Sequence, residues 1–582
     1  MSYNATLTSS MNLFLTDPIT REERRGSDIF DDVLADLSRF DLGLDQSYNQ
    51  SVTTNWRPKM VSLLDWITTS FTYNTQYSWA NPFVNNPSQF LGNSVGNNST
   101  LQVQSDINFG KLFGKVRDLI PFGKGTETMP PPQKPKRFFS LIDSTEGASE
   151  GNNLTKLLSD VGSVLSIFTR FDQFRVSYSI TTGLQNTGIA GGAGWLNFYP
   201  FNTFGRDDRP PPPSLSYQLG LSDNPGARFL VDPNAPAIPN FTDNFNQSQN
   251  FSVSTTWQIF DNLRMDLTWR TDWQFRRGAS INGATGAQIS ADRSGSITKT
   301  YISIFPNIDN FREAINTTFA DSAGLVIRNP PLLQFAELFE RTFEPTGIGR
   351  FTAKLFGQSN RLAYIPLPNW RVSLTGLEKL DLLSGFASNA SIEHAYTGTY
   401  STSFTQPLNS GEVIGNQIIN ESFAPLIGLN LMWKFGMNSS ISVGKTRSLT
   451  LAVVSYQITQ ANSTQINFTL GYQKTGLKVP LNFWPFDGAT LDNTIDFSFN
   501  FSFADNETQN IIVAGSNAAT NPPIGTTQIT FQPRLSYALS QRVNAAAFWQ
   551  YTQTKPKASG GSTVFASTRQ EFGFNFRISI GN

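Results

Sequence analysis

The chain has 582 residues, and 44 Lys plus Arg balance 44 Asp plus Glu, so a formal charge of zero excludes the basic field that draws nucleic acid. Cysteine is absent and histidine occurs once, which removes disulfides, thiolate nucleophiles and zinc sites built from His and Cys. Only 15% of residues are charged, 48 are Phe, mean hydropathy is -0.25, and no window approaches the roughly 18 consecutive apolar residues of a membrane helix. Helical spanning is therefore out, and the composition fits an all-β chain, a transmembrane antiparallel β-barrel with a polar inward face.

Residues 1–8 show no basic stretch followed by an apolar one, so no secretory signal is read there, and they resemble the end of a strand. The expectation is a C-terminal part of a longer protein. Insertions are expected near 17–45, 111–168, 185–248 and 306–350, with one β-barrel portion running over 1–582. Within the first, Ile29, Phe30, Val33, Leu34, Leu37 and Phe40 have helical spacing beside the charged run Arg21 to Arg25. Alternating runs at 71–79 and 101–109 read as strands. The second insertion holds Pro130, Pro131 and Pro132, a stiff spacer, and a helical face of Leu154, Leu157, Leu158, Val161 and Leu165.

Strands follow at 174–180, 251–259 and 263–275, flanking an insertion with a glycine run, Gly188 to Gly194, and four prolines, Pro210 to Pro213. The glycine run leads into Trp195 and not into a helix, which argues against a phosphate cradle. The last insertion has Phe335, Leu338 and Phe339 on one helical face. Further strands are read at 391–400, 423–433, 449–458, 466–472, 495–503, 529–539, 543–551 and 572–580. In all, about 18 to 20 strands are expected, each near the ten residues a tilted membrane strand needs. Long insertions are expected on one side of the barrel only. Helices within them suit a lumen plug, a partner dock or a cap on the rim.

The clearest strand is 495–503, whose apolar face is Ile495, Phe497, Phe499, Phe501 and Phe503 and whose other face is Asp496, Ser498, Asn500 and Ser502. Aromatic pairs near strand ends, Tyr77 with Trp79 and Trp549 with Tyr551, read as an interfacial girdle. His394 lies in a strand-like run with no nucleophile motif near it, and reads as a structural or lumen-facing residue; no catalytic, cofactor or metal residue is assigned.

Several segments carry a family resemblance. Residues 364–377, beginning Tyr364, Ile365, Pro366, and leading into 390–400, are similar to the SprA/Sov family, the outer-membrane translocon of the type IX secretion system. So are residues 423–434, 445–449, 551–556, 55–58 and 174–179, in the same order along the chain. The resemblance implies a barrel of the largest class, about 36 strands, of which this chain would supply the C-terminal portion. It implies a bacterial outer-membrane location, passage of folded cargo proteins with C-terminal sorting domains, a PorV-like shuttle, a plug protein and a link to gliding motility. It carries no catalytic residue and no cofactor. A TonB-type or porin-like transporter and a non-transporting adhesin barrel are the alternatives.

Overall fold

The structure is a computed structural model that describes residues 2–10, 44–81, 92–112, 115, 171–192, 212–234, 238–303, 308–319, 330–343, 367–407, 411, 413–478, 490–491, 493–512, 519–540, 543–557 and 565–578. Strict alternation folds as one antiparallel sheet of eighteen strands. They are β1 (Ser2–Ser10), β2 (Leu44–Trp56), β3 (Ile67–Ala80), β4 (Asn93–Ile107), β5 (Phe174–Ile189), β6 (Asn240–Phe260), β7 (Leu263–Asn282), β8 (Gln288–Thr300), β9 (Asn369–Thr375), β10 (Ala387–Pro407), β11 (Val413–Trp433), β12 (Met437–Ala452), β13 (Gln457–Lys474), β16 (Ile495–Ile512), β17 (Ala519–Thr520), β18 (Ile524–Ser540), β19 (Val543–Pro556) and β20 (Ser567–Ile578). A separate two-residue hairpin, β14 (Leu477–Lys478) and β15 (Thr490–Leu491), lies between β13 and β16. Neighbours in the sheet are neighbours in sequence almost throughout, an up-and-down meander. Among the described residues β1 pairs with β2 alone and β20 with β19 alone, so these two form the sheet's edges.

The register makes two-sidedness a property of the whole sheet. Leu263, Leu374, Ile392, Leu429, Ile441, Phe468, Phe501, Phe531 and Tyr551 are successive cross-strand partners, an unbroken apolar row. One residue along, Arg264, Ser373, Glu393, Gly428, Ser442, Asn467, Ser502, Thr530 and Thr552 form an equally continuous polar row on the opposite face. The apolar row continues on the other half as Trp56, Phe71, Val103, Tyr178 and Phe251. Rings interlock across strands, as Phe501 with Phe531 at 5.1 Å and Trp549 with Phe572 at 5.8 Å. Such pairs add about 0.5–1.5 kcal/mol beyond area burial.

Strands are longer than the ten residues expected from sequence. β6, β10 and β11 each have 21 residues, or about 70 Å at ~3.3 Å per residue. A bilayer core is only ~30 Å thick, so even tilted strands project beyond it. Alternation carries the apolar face along this whole length, more than a ~30 Å layer of lipid could cover.

The chain covers part of that face itself. Between β8 and β9 it leaves the sheet and forms two helices, α2 (Ile308–Thr318) and α3 (Leu332–Phe343). Phe311, Ile315, Phe335 and Phe339 are fully buried against Tyr400, Ile419, Leu449, Leu451, Ile458 and Ile511. These sheet residues share the face of the apolar row. Polar anchors hold the pair down: Gln417 donates to the Ala336 carbonyl at 3.0 Å, Tyr456 to the Pro330 carbonyl at 2.8 Å, and Lys299 pairs with Glu340 at 3.0 Å. The other half has a smaller cover, the single turn α1 (Leu215–Gln218), whose Tyr217 packs on Tyr48, Tyr77, Trp79 and Val95. Burial, then the Asp243 carboxylate, holds the Tyr217 hydroxyl well above its ordinary pKa, so it stays neutral and donates to Asn186 at 2.7 Å.

β8 and β9 occupy one position. β8 pairs with the upper parts of β7 and β10, β9 with their lower parts. The break between them is stitched by Tyr301 N–H to the Gly398 carbonyl (2.9 Å), Leu367 N–H to the Thr300 carbonyl (3.1 Å) and Gly398 N–H to Asn369 Oδ1 (2.8 Å). A Cβ at residue 398 would lie 2.1 Å from the Tyr301 carbonyl oxygen, so only glycine lets the exit strand close in.

Four sequence expectations change. The run 449–458 is the end of β12, a turn at Val453–Ser455 and the start of β13, because apolar residues continue under the α2/α3 cover on both sides of the bend. Tyr77 and Trp79 are buried beneath α1 and take no part in a girdle. Insertions attach at both ends of the wall: 108–173 joins β4 to β5 at the end that carries the tight turn 261–262, and 190–239 joins β5 to β6 at the other. Helix α2 was not legible, whereas α3 spans the stretch that Phe335, Leu338 and Phe339 mark. The helical faces at 29–40 and 154–165 and the prolines at 130–132 lie outside the described residues.

Phe335 meets Phe311 at 5.6 Å, Phe319 at 6.4 Å and Tyr456 at 5.1 Å. Phe335→Ala is expected to cost about 3–5 kcal/mol locally, and limited proteolysis should then cut within 301–368 while the sheet stays folded.

Candidate functional site: the polar face of the wall

The polar face owes its character to residue type as much as to register. Ser, Thr, Asn and Gln alternate inward along nearly every strand, and many satisfy one another across the ladder. Ser440 lies 2.6 Å from Thr469, Thr100 3.1 Å from Thr181, Thr298 2.5 Å from Ser401, and Ser448 donates to Asn420 at 2.7 Å. Such pairs fix a hydrogen-bonding surface without fixing charge.

Many charges on this face come in opposite-signed neighbours, while Arg276, Arg534 and Asp496 on the same face make no ion pair among the described residues. Arg371 meets Glu393 at 2.7 Å, Arg264 meets Asp266 at 2.9 Å, Arg270 meets Asp272 at 2.8 Å, Arg175 meets Asp106 at 3.2 Å and Arg569 meets Glu571 at 2.9 Å. Asp266 and Arg371 are also cross-strand partners, so Arg264, Asp266, Arg371 and Glu393 form one patch with two charges of each sign. Exposed pairs of this kind contribute about 0–1 kcal/mol to stability. Their effect is on potential, which they cancel locally.

Among the described residues the polar face carries two sizeable depressions. One, about 650 Å³, spans β1 to β6 and is lined without any charged residue. The other, about 470 Å³, spans β10 to β16, and its polar-face lining is Thr399, Asn420, Ser422, Thr446, Ser448 and Asn506 among others. Both occur where the sheet is hollowed toward the polar side, so that side is concave there.

His394 is not on this face. It sits on the apolar face of β10, its ring 6.4 Å from Trp370 and 5.9 Å from Phe423. Its Nδ1 is 2.7 Å from the Leu426 carbonyl, which can only accept, so Nδ1 carries the proton. The Leu426 carbonyl is free to receive it because β11 bulges between Phe423 and Ile427. The ring thus has a structural place, and lumen-facing is the half of its sequence reading that does not hold. Part of the glycine run behaves likewise. Gly188 has φ +73° and a Cβ there would strike the Phe241 ring at 2.4 Å, while Trp79 Nε1 (3.1 Å) and Asn93 Nδ2 (2.8 Å) donate to the Gly191 carbonyl. Gly188 thus serves close packing, whereas a Cβ at Gly192 would meet nothing within 4 Å and Gly194 lies outside the described residues. Among the described residues no group of His, Asp and Glu is spaced to hold a metal ion.

No protein-family model and no curated protein matches the chain. Solved structures similar to it include a bacterial polysaccharide outer membrane secretin, at 7% identity over 70% of this chain and 92% of that one, with a TM-score of 0.14. Another is the siderophore receptor PirA from Acinetobacter baumannii, at 8% identity over 91% of this chain and 71% of that one, with a TM-score of 0.13. At such TM-scores the likeness carries no argument about this chain.

Neutralising one partner of the Arg371/Glu393 pair leaves the other uncompensated. In planar bilayers under a salt gradient, Arg371→Gln is expected to move the reversal potential toward cation selectivity and Glu393→Gln toward anion selectivity, with the double variant returning to the starting value.

Proposed function

We propose that the chain forms wall of an outer-membrane protein translocon of the type IX kind, which passes folded cargo. The single observation that carries this reading is the continuous two-faced register, an apolar row over one face and a polar, mostly neutral hydrogen-bonding row over the other. The apolar row suits lipid, and since only helices and closed ladders satisfy backbone groups there, the edges at β1 and β20 would need further strands to pair them. The polar side suits passage. A wall of Ser, Thr, Asn and Gln with many of its charges cancelled neither grips apolar surface nor sorts cargo by charge. Breadth points the same way, because lumen width grows with strand number and the sixteen strand positions of this sheet, β8 with β9 and β17 with β18 each sharing one, are in the range of barrels that hold an aqueous channel.

The family resemblance in 364–377 and 423–434 supplies the finer statement: cargo proteins with C-terminal sorting domains, a PorV-like shuttle and a plug. Work of this sort needs no catalytic group, and we read the protein as not an enzyme. A TonB-type or porin-like transporter is the second reading, favoured by the hollowed, hydrogen-bonding polar face alone.

Two experiments test this. Phe501→Arg, at the centre of the apolar row, is expected to cost about 2–4 kcal/mol and abolish the compact, heat-modifiable band in detergent gels, while the adjacent Ser502→Arg leaves it. A protein that stays soluble without detergent would sink the membrane reading. For cargo, disruption of the gene is expected to clear the medium of proteins with C-terminal sorting domains. Unchanged secretion with reduced uptake of a small solute would replace the translocon by the transporter.

A further inference from the structure

The larger depression differs from the rest of the polar face in three ways. Its lining is organised as two neighbouring cross-strand rows. The first is Asn4, Ser51, Gln76, Asn98, Gly183 and Asn246. The second is Thr6, Asn49, Ser78, Gly96 and Gln185. Every member is neutral and, the two glycines apart, every one offers hydrogen bonds; the amides offer donor and acceptor together.

Secondly, much of that capacity is unspent, although Asn246 Oδ1 accepts from Arg276 Nε at 3.0 Å. Elsewhere on the face hydroxyls and amides pair with cross-strand neighbours, whereas among the described residues the exposed side chains of Asn49, Gln76, Asn98 and Gln185 make no hydrogen bond to the protein. Thirdly, Gly183 has no packing reason to be glycine. A Cβ there would meet only Asn246, at 4.0 Å, and its φ is not left-handed. Glycine inside a strand costs about 0.5–1 kcal/mol, and such positions often mark where a ligand approaches the backbone closely.

From these we infer that the depression across β1 to β6 is a binding site for a neutral oligosaccharide lying across the strands. Hydrogen-bonding groups recur at the interstrand distance of ~4.8 Å, so the six-strand row is about 24 Å long. Pyranose rings repeat along a chain at close to that spacing and present hydroxyls that both donate and accept. An extended polypeptide repeats every ~3.3 Å, out of step with the rows, and it cannot join the ladder because the sheet's own strands already occupy it. The absence of charged lining residues rejects anionic sugars and selects uncharged ones. The volume of about 650 Å³ is in the range of sites that enclose small ligands. No aromatic ring offers a stacking platform in either row, so the expected affinity is millimolar. The site needs only a polar face open to water, and its test stands apart from secretion and conductance.

Maltohexaose is the probe, titrated against the detergent-solubilised protein in saturation-transfer NMR. Transfer to the sugar is expected with wild type. Gly183→Leu places a side chain into the open space above the floor and is expected to weaken binding by about tenfold or more, with heat-modifiable migration retained. Gln76→Leu with Asn98→Leu removes hydrogen bonds without touching the floor and is expected to do the same, which keeps the test valid should Gly183→Leu misfold. Absence of transfer with wild type, or affinity undiminished in the folded variants, would overturn the proposal. So would tighter binding of an uncharged Ser/Asn/Gly peptide of equal length, which would assign the rows to polypeptide.

Discussion

A β-strand cannot change which residues face which side without a bulge or a break, and the rest of this structure depends on that constraint. The face that carries Phe497 and Phe499 is still the same face at Ile511, fourteen residues beyond Phe497 along β16. A bilayer core of ~30 Å would cover only part of the length of the longest strands. The chain meets the remainder with covers of its own, α2 and α3 over β10 to β16 and the Tyr217 turn over β2 to β5. The two buried clusters are thus not cores in the usual sense. Each is the place where a long strand's apolar face meets the chain's own cover.

The same constraint explains the composite strand. A cover must be threaded out of the sheet somewhere, and leaving at a strand end would place its start beyond the surface it has to shield. By breaking between β8 and β9, the chain emerges part-way up the wall, and the exposed backbone at the break is recovered by Thr300, Gly398 and Asn369. On the polar face Ser, Thr, Asn and Gln can be satisfied by cross-strand neighbours or by water. There the demand is electrostatic, met by placing Arg and Asp or Glu within reach on the same or adjacent strands.

Much of this was legible in the sequence because alternation is local. The Phe row of β16 and the polar residues between them fall on opposite faces as read, and α3 was marked by Phe335, Leu338 and Phe339. Misreadings arose where an apolar residue has a cover other than lipid. Leu449, Leu451 and Ile458 look like one strand because both sides of a turn pack beneath the helices. Tyr77 and Trp79 resemble a membrane girdle for the same reason. Helix α2 escaped notice since only Ile308, Phe311 and Ile315 mark its buried face, in a polar background. The two rows of amides and hydroxyls were beyond reach, because they come from strands as far apart in sequence as Asn4 and Asn246 and exist only through register.

The composite strand also sets an order of assembly. Helices α2 and α3 are made before β11, β12, β13 and β16, yet those later strands supply Ile419, Leu449, Ile458 and Ile511 for them to rest on. Contacts of such sequence separation form slowly. During the interval Phe311, Phe335 and Phe339 have no wall to bind, and a freshly made chain would offer them to any apolar surface nearby. The wall has to stand before its cover can close over it.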